Sequence, residues 1–304
     1  MTVTTDRYIN LFTDFAFKKL FGEEPNKDLL IAFLNELLRD EEQISDLNYL
    51  KNERLGKHEG ERKAVFDLYC TNERGEKIIV EVQRVKQEYF KDRSVYYSSF
   101  AIQEQAAKGK DWKYQLKAVY TIAIMDFEFD SANQEKLEHR IKLMDTETKQ
   151  VFYHKLTFIY LEIPKFTKQL SELTSNYEKW LFAFKNLHRL RERPKELEEG
   201  VFKRLFEVAE IASMNERERS VYEDSLKDYW DLKSAIETYF ADGRAEGRAQ
   251  GKAEGRAEGR AEGKMEEKIG TAKKALERGL EVSLVQELTG LPLATIQQLA
   301  EDTQ

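Results

Sequence analysis

Two carboxylates and one amide carry the most chemistry in this 304-residue sequence. Asp67 lies in KAVFDLYC, Lys63 to Cys70, and Glu81 and Gln83 lie in KIIVEVQ, Lys77 to Gln83. Both segments alternate with the period of a strand, and the polar stretch TNERGEK with Gly75 joins them, which predicts a β-hairpin. With the turn centred near Arg74, Asp67 and Glu81 are equidistant from it and oppose each other across the strands. Like charges directly opposed destabilise a sheet, and two such carboxylates drive their proton affinities apart. A divalent cation between them offsets the repulsion, since Mg²⁺ is commonly held by one or two carboxylates with water and phosphate oxygens. Gln83 falls on the same strand face and can hydrogen-bond a water or a phosphate oxygen, but brings no charge. The competing reading is an acid on the solvent face of an ordinary strand, and periodicity does not choose between them.

The elements that must position this pair follow from pattern. DFAFKKLFG, Asp14 to Gly22, predicts a helix stopped by glycine. KDLLIAFLNELLRD, Lys27 to Asp40, places Leu30, Phe33, Leu34 and Leu37 on one helical face. Val65, Asp67 and Tyr69 share one face of the first strand, with Phe66, Leu68 and Cys70 on the other. In the second strand Ile78, Val80 and Val82 oppose Ile79, Glu81 and Gln83. A long helix is predicted from Gln87 to Gly109, a strand apolar on both faces from Leu116 to Phe127, and another strand from Lys155 to Pro164. Helices, hairpin, helix and buried strands give an α/β or α+β fold with a mixed sheet.

Composition narrows the function classes. Lys and Arg number 49 against 56 Asp and Glu, so the net charge is -7, and charged residues make up 35%. Net acidity argues against coating nucleic acid by charge alone, while leaving room for a local basic track. The single cysteine, Cys70, excludes an internal disulfide and a Cys-rich zinc site. His58, His139, His154 and His188 show no metal-ligand spacing. No signal-like stretch opens the sequence and no run reaches the ~18 apolar residues of a membrane span, so a soluble cytoplasmic protein without membrane contact is expected.

The hairpin pattern D-x13-E-x-Q followed by a helix resembles the PD-(D/E)XK nuclease core. TDFAFKKLFG, LLIAFLNELL, KAVFDLYC, IIVEVQ, DRSVYYSSFAIQEQ and YQLKAVYTIAIMDF arrive in the order and rough spacing of the Rpn family of recombination-promoting nucleases. The resemblance covers about residues 5–130 and extends weakly to 240. It implies an α/β fold: a restriction-endonuclease-like core with a mixed central sheet flanked by helices, then a helical region and a helical C-terminal tail. The corresponding divisions are a nuclease-like domain over 1–165, a helical extension over 166–242, a Gly-x-x-x repeat over 243–264 as helix or linker, and a small helical tail over 265–304.

The resemblance assigns Asp67 and Glu81 as catalytic metal ligands, with the Val82 carbonyl assisting. Gln83 stands where the broader superfamily carries lysine, a departure from the superfamily but not from the Rpn family, and it leaves open what orients the attacking water. Asp14, Phe17 and Lys18 match a D-x-x-F-K element. Asp14 resembles the helix acid that joins the metal shell, although after Thr13 it could equally cap the helix, and Glu36 is a rival for the role. The implied activity is Mg²⁺-dependent DNA endonuclease chemistry, with Mn²⁺ as substitute, little sequence specificity and a link to recombination. The alternative is a catalytically weak DNA-binding, assembly or transposase-related protein that keeps the fold.

Charge is segregated along the chain. From Arg84 to Lys117 eight cations meet four acids, whereas from Glu23 to Leu50 two cations meet eight acids. Lys18, Arg84, Lys86, Lys91 and Arg93 are the candidate phosphate contacts, which give affinity without base readout. Tyr97, beside Tyr96, is the candidate for stacking, with one of the pair expected in the core.

GRAEGRAQGKAEGRAEGRAEGK, Gly243 to Lys264, repeats every four residues. On a helix that period drifts about 40° per repeat, so each residue type winds as its own stripe. A lone helix gains no opposite-charge support at i+3 or i+4 and each glycine weakens it. Flexible linker and parallel homo-oligomeric helix packed on glycine stripes are the two readings, and a homo-oligomer through 243–304 is expected. SLVQELTGLPLATIQQL resembles a helix-turn-helix in spacing, with Leu284, Leu288, Leu291, Ile296 and Leu299 as its core. The absence of Lys and Arg from Leu293 to Ala300 favours packing or oligomerisation over base reading.

Overall fold

The computed structural model describes residues 6–41, 43–54, 64–106, 113–129 and 135–302. Contacts divide the chain into two compact units, Met1–Ser234 and Ala235–Gln304.

The first unit begins with α1 (Asp14–Phe21) and α2 (Lys27–Leu37). Thr13 caps α1 by accepting from the Ala16 N–H, satisfying one of the orphan amides of the first turn. The strands are β1 (Leu47–Tyr49), β2 (Glu53–Arg54), β3 (Ala64–Val65), β4 (Leu68–Asn72), β5 (Lys77–Gln83), β6 (Val119–Met125), β7 (Glu138–Met144) and β8 (Val151–Glu162), with α3 (Phe90–Gln103) between β5 and β6. α4 (Asn176–Asn186), α5 (Gly200–Ala209) and the start of α6 (Glu216–Glu277) complete it. One sheet runs β1-β4-β5-β6-β8-β7, and β2 pairs with β3 separately. β5, β6 and β8 are mutually parallel; the other pairings are antiparallel.

The expected mixed sheet flanked by helices is present. β6 lies between β5 and β8 with all seven residues buried, which explains its unbroken apolar run. Ile78 and Val80 of β5 join Leu68, Cys70, Tyr120, Ile122 and Ile124 against α1, α2, α4 and α5 in the main core. An aromatic knot of Phe21, Phe33, Trp180 and Phe184 closes that layer. Tyr222 and Leu226 of α6 pack there too, so residues beyond 166 share the core of the sheet. The opposite face carries Tyr69, Ile79 and Val119 against Ala101 of α3.

The sequence pattern missed three strands and shifted others. β7 is an edge strand with register shifts between Lys142 and Leu143 and between Leu143 and Met144. Half-exposed apolar residues such as Leu143 and Met144 give it no clean alternation. β1 and β2 are too short to print a period. β8 starts at Val151, ahead of the predicted Lys155, because it extends past the core to pair with β7. α3 runs from Phe90 to Gln103, shorter at both ends than the expected Gln87 to Gly109, and Gly109 itself lies outside the described residues.

In the second unit α6 continues as helix through the whole 243–264 repeat to Glu277. A Cβ on any glycine from Gly243 to Gly263 would meet open space. α7 (Val282–Thr289) and α8 (Leu293–Glu301) pack with α6 around Ala272, Val285, Leu291 and Ile296. Gly290 turns the chain between them at φ +63°, where a side chain is strained. Leu291, Ile296 and Leu299 pack as expected, but Leu284 and Leu288 are exposed. The inward face of α7 instead runs through Val282, Val285 and Thr289.

Candidate active site

The β4–β5 ladder pairs Leu68 with Val80 and Thr71 with Lys77, so it is centred on Arg74 as expected. Gly75 at φ +78° takes the turn, and the Asn72 side chain accepts from the Arg74 and Glu76 amides. One step beyond the Leu68–Val80 pair, Asp67 faces Glu81. The expected uninterrupted strand from Lys63 does not form: Asp67 stands between β3 and β4. Its N–H donates to Glu81 Oε1 at 3.2 Å, and its own carboxylate accepts the Val82 N–H at 2.7 Å. Its carbonyl accepts from Asn52 Nδ2, while the Phe66 N–H is drawn to Asn52 O. This irregularity breaks the face alternation, so Phe66 is buried with Tyr69 and Tyr97 rather than with Leu68 and Cys70.

Glu81 and Gln83 are both 7% exposed, and Gln83 Nε2 donates to Glu81 Oε2 at 3.4 Å. Burial and then the Asp67 charge push the Glu81 carboxyl up to about 8, against the opposing pull of the Asp67 N–H and the Arg93 charge. Burial also raises Asp67. The Val82 N–H counters it, the Asp14 charge adds to it, and Lys18 and Arg84 oppose it. Two adjacent carboxylates that resist losing their protons form a donor set a hard divalent cation fits, because the cation supplies the missing positive charge.

The other expected residues are distributed around the pair. Asp14 forms a salt bridge of 2.9 Å with Lys18 one turn along α1. Among the described residues no three His, Cys, Asp or Glu side chains gather as a metal-binding group. The structure therefore brings together Asp67 and Glu81, and leaves Asp14 acting on Asp67 through its charge. Arg93 of α3 is held with its guanidinium 5.6 Å from both the Phe90 and Tyr97 rings, and its Nη1 donates to Gln87 Oε1 at 2.7 Å. Tyr97 is half-buried edge-on to Phe66, while Tyr96 is exposed, so Tyr97 is the core member of the pair. Lys108 and Lys110 of the basic track lie outside the described residues.

Sequence reasoning missed a cavity of about 380 Å³ formed by residues that follow β5 and β6. Its walls include Lys86, Tyr89, Phe90, Lys91, Phe127 and Phe129. The available signal was aromatic: EYF follows β5 and FEF follows β6, just where each strand leaves the sheet. Also unforeseen was Glu162, fully buried at the end of β8, which bonds His139, Lys165 and the Phe129 N–H.

A family model described as PD-(D/E)XK nuclease family transposase matches residues 11–239. No curated protein and no solved structure matches the chain.

Proposed function

The chain belongs to the PD-(D/E)XK nuclease family transposases, and from that premise we propose that it is a metal-dependent endonuclease that hydrolyses DNA phosphodiester bonds. Nuclease- and transposase-type function follows from the family; the metal requirement, the endonucleolytic mode and a part in promoting recombination are our reading. The observation that carries it is the buried Asp67–Glu81 pair, joined across the hairpin by the Asp67 N–H.

Nucleases of this superfamily use divalent metal ions, and Asp67 and Glu81 would hold one here, Mg²⁺ or Mn²⁺, with Val82 offering its carbonyl and Asp14 adding negative charge nearby. Such an ion, when bound, polarises the phosphoryl oxygen and lowers the pKa of a bound water. The residues around it do the positioning. Asp67 is oriented by the Val82 N–H, and Gln83 is set against Glu81 Oε2, where its amide can orient a water or a phosphate oxygen. Lys18, Arg84 and Arg93, whose charges reach the pair, serve as phosphate contacts together with Lys86 and Lys91. Contacts of this kind position DNA without reading its sequence, so cleavage is of low sequence specificity and sensitive to salt. We further propose that residues 243–304 assemble copies of the chain.

The test is cleavage of supercoiled plasmid in Mg²⁺, Mn²⁺, Ca²⁺ and chelator. Nicking that appears with Mg²⁺ or Mn²⁺ and stops with chelator is expected. A second reading, a DNA-binding protein that keeps the fold without turnover, is favoured by the gathering of no more than two acids among the described residues, while the presence of Asp67, Glu81 and Gln83 together speaks against it. DNA binding with no product at any metal concentration would select it.

A further inference from the structure

The aromatic cavity lies beyond the C-terminal ends of the neighbouring strands β5 and β6. Gln83 pairs with Met125 in the β5–β6 register, and the Asp126 N–H donates to Gln83 O at 2.9 Å. The cavity walls are the next residues of both strands: Lys86 follows Gln83 by three positions, and Phe127 follows Met125 by two. Phe90, Phe127 and Phe129 stand around it with ring centroids 6.1–6.3 Å apart. Lys91 Nζ lies 4.9 Å from the Phe129 centroid, and Tyr89 stands at the rim, 66% exposed. The Phe129 backbone is anchored by the buried Glu162 carboxylate at 2.8 Å, so one wall is held by the end of β8.

The polar lining discriminates between ligands. Lys86 and Lys91 are balanced by Glu88 and Asp92, a mixture that suits a planar neutral group with donors and acceptors better than a bare phosphate. Arg93 links the cavity to the carboxylates. Its Nη1 is tied to Gln87 in the cavity wall, its charge reaches Glu81, and its Nη2 is buried with no hydrogen-bond partner among the described residues. A phosphate between the cavity and Glu81 would supply that partner.

We propose that this cavity takes an unpaired nucleobase of the DNA strand being cut, stacked among Phe127, Phe129 and Tyr89, with the adjoining phosphate received by Arg93 Nη2. The proposal rests on the nuclease reading and gives it a substrate class: DNA with an unpaired or extruded base beside the scissile bond. A base inside a duplex cannot reach such a cavity without leaving the stack, and stacking on aromatic side chains tolerates any base.

The test uses the full chain and two duplexes of one sequence carrying a single 2-aminopurine, either paired or opposite an abasic site. Binding is measured with Asp67→Asn, and cleavage with the unaltered protein. Stacking contributes about fivefold or more per base, so the unpaired probe binds at least about fivefold more tightly and its fluorescence is quenched. Tyr89→Ala, at an exposed position, brings that ratio towards one, and Lys91→Met lowers it by removing the cation held over the Phe129 ring. Equal affinity for the two duplexes from a protein that does cleave DNA overturns the cavity assignment and leaves the nuclease reading standing. A retained preference for the unpaired probe with no metal-dependent cleavage supports the cavity and overturns the nuclease reading. Neither binding nor cleavage overturns both.

Discussion

The amide of Asp67 donates to the carboxylate of Glu81 at 3.2 Å, so the two acids meet through backbone and side chain rather than as two ladder partners. The contact eases their repulsion but adds no positive charge. In metal-free protein above the pH of about 8 at which Glu81 gives up its proton and both acids carry charge, Asp67→Asn or Glu81→Gln is expected to raise stability by up to about 1 kcal/mol, read as about 2–4 °C in Tm. Each substitution should also shrink the Tm gain on adding Mg²⁺, since a ligand stabilises only the state that binds it. Lower Tm in both variants with the Mg²⁺ gain intact would contradict this.

The same pair sets a pH dependence. Glu81 is pushed from 4.5 up to about 8 in the folded chain, so between those values the folded state holds the proton that the unfolded state has lost. The stability linked to Glu81 is full below about 4.5 and lost as pH rises through about 8. Thermal scans in chelator should therefore show this contribution falling across that window. Glu81→Gln should flatten the slope, and Mg²⁺ should oppose it by competing with the proton. An unchanged slope in Glu81→Gln would sink the assignment.

Glu162 is fully buried and holds Lys165, itself 4% exposed at its side chain, together with His139 and the Phe129 N–H. Glu162→Ala removes the carboxylate that pairs with the buried Lys165 cation, which costs about 3–5 kcal/mol. A urea midpoint within error of the unaltered protein would contradict this.

The repeat predicts an assembly. Deleting residues 243–304 is expected to lower the mass measured by sedimentation equilibrium to that of a single chain. An unchanged number of copies would remove the proposed role of the segment.

Much of this was legible from side-chain periodicity. The hairpin register follows from the alternation of β5 and the turn residues Asn72 and Gly75, and β6 follows from its apolar run. What escaped were features with no local period. The break at Asp67 depends on Asn52, brought in from 15 residues away. The strand β7 depends on pairing with β8, not on its own pattern. The cavity depends on two strand ends becoming neighbours through the sheet, although their sequences are about 40 residues apart. Leu284 and Leu288 were misplaced because α7 offers two apolar stripes, and only the packing of α6 selects between them.

The central claim is that Asp67 and Glu81 perform metal-dependent DNA cleavage. Its most direct measurement is the single-turnover nicking rate of supercoiled plasmid in Mg²⁺ for the unaltered protein and Asp67→Ala, each first shown folded by circular dichroism. We predict nicking that chelator abolishes, and a fall of about 100-fold or more in Asp67→Ala, the scale on which removing one group that stabilises a transition state acts. Nicking by Asp67→Ala at the unaltered rate would contradict the account.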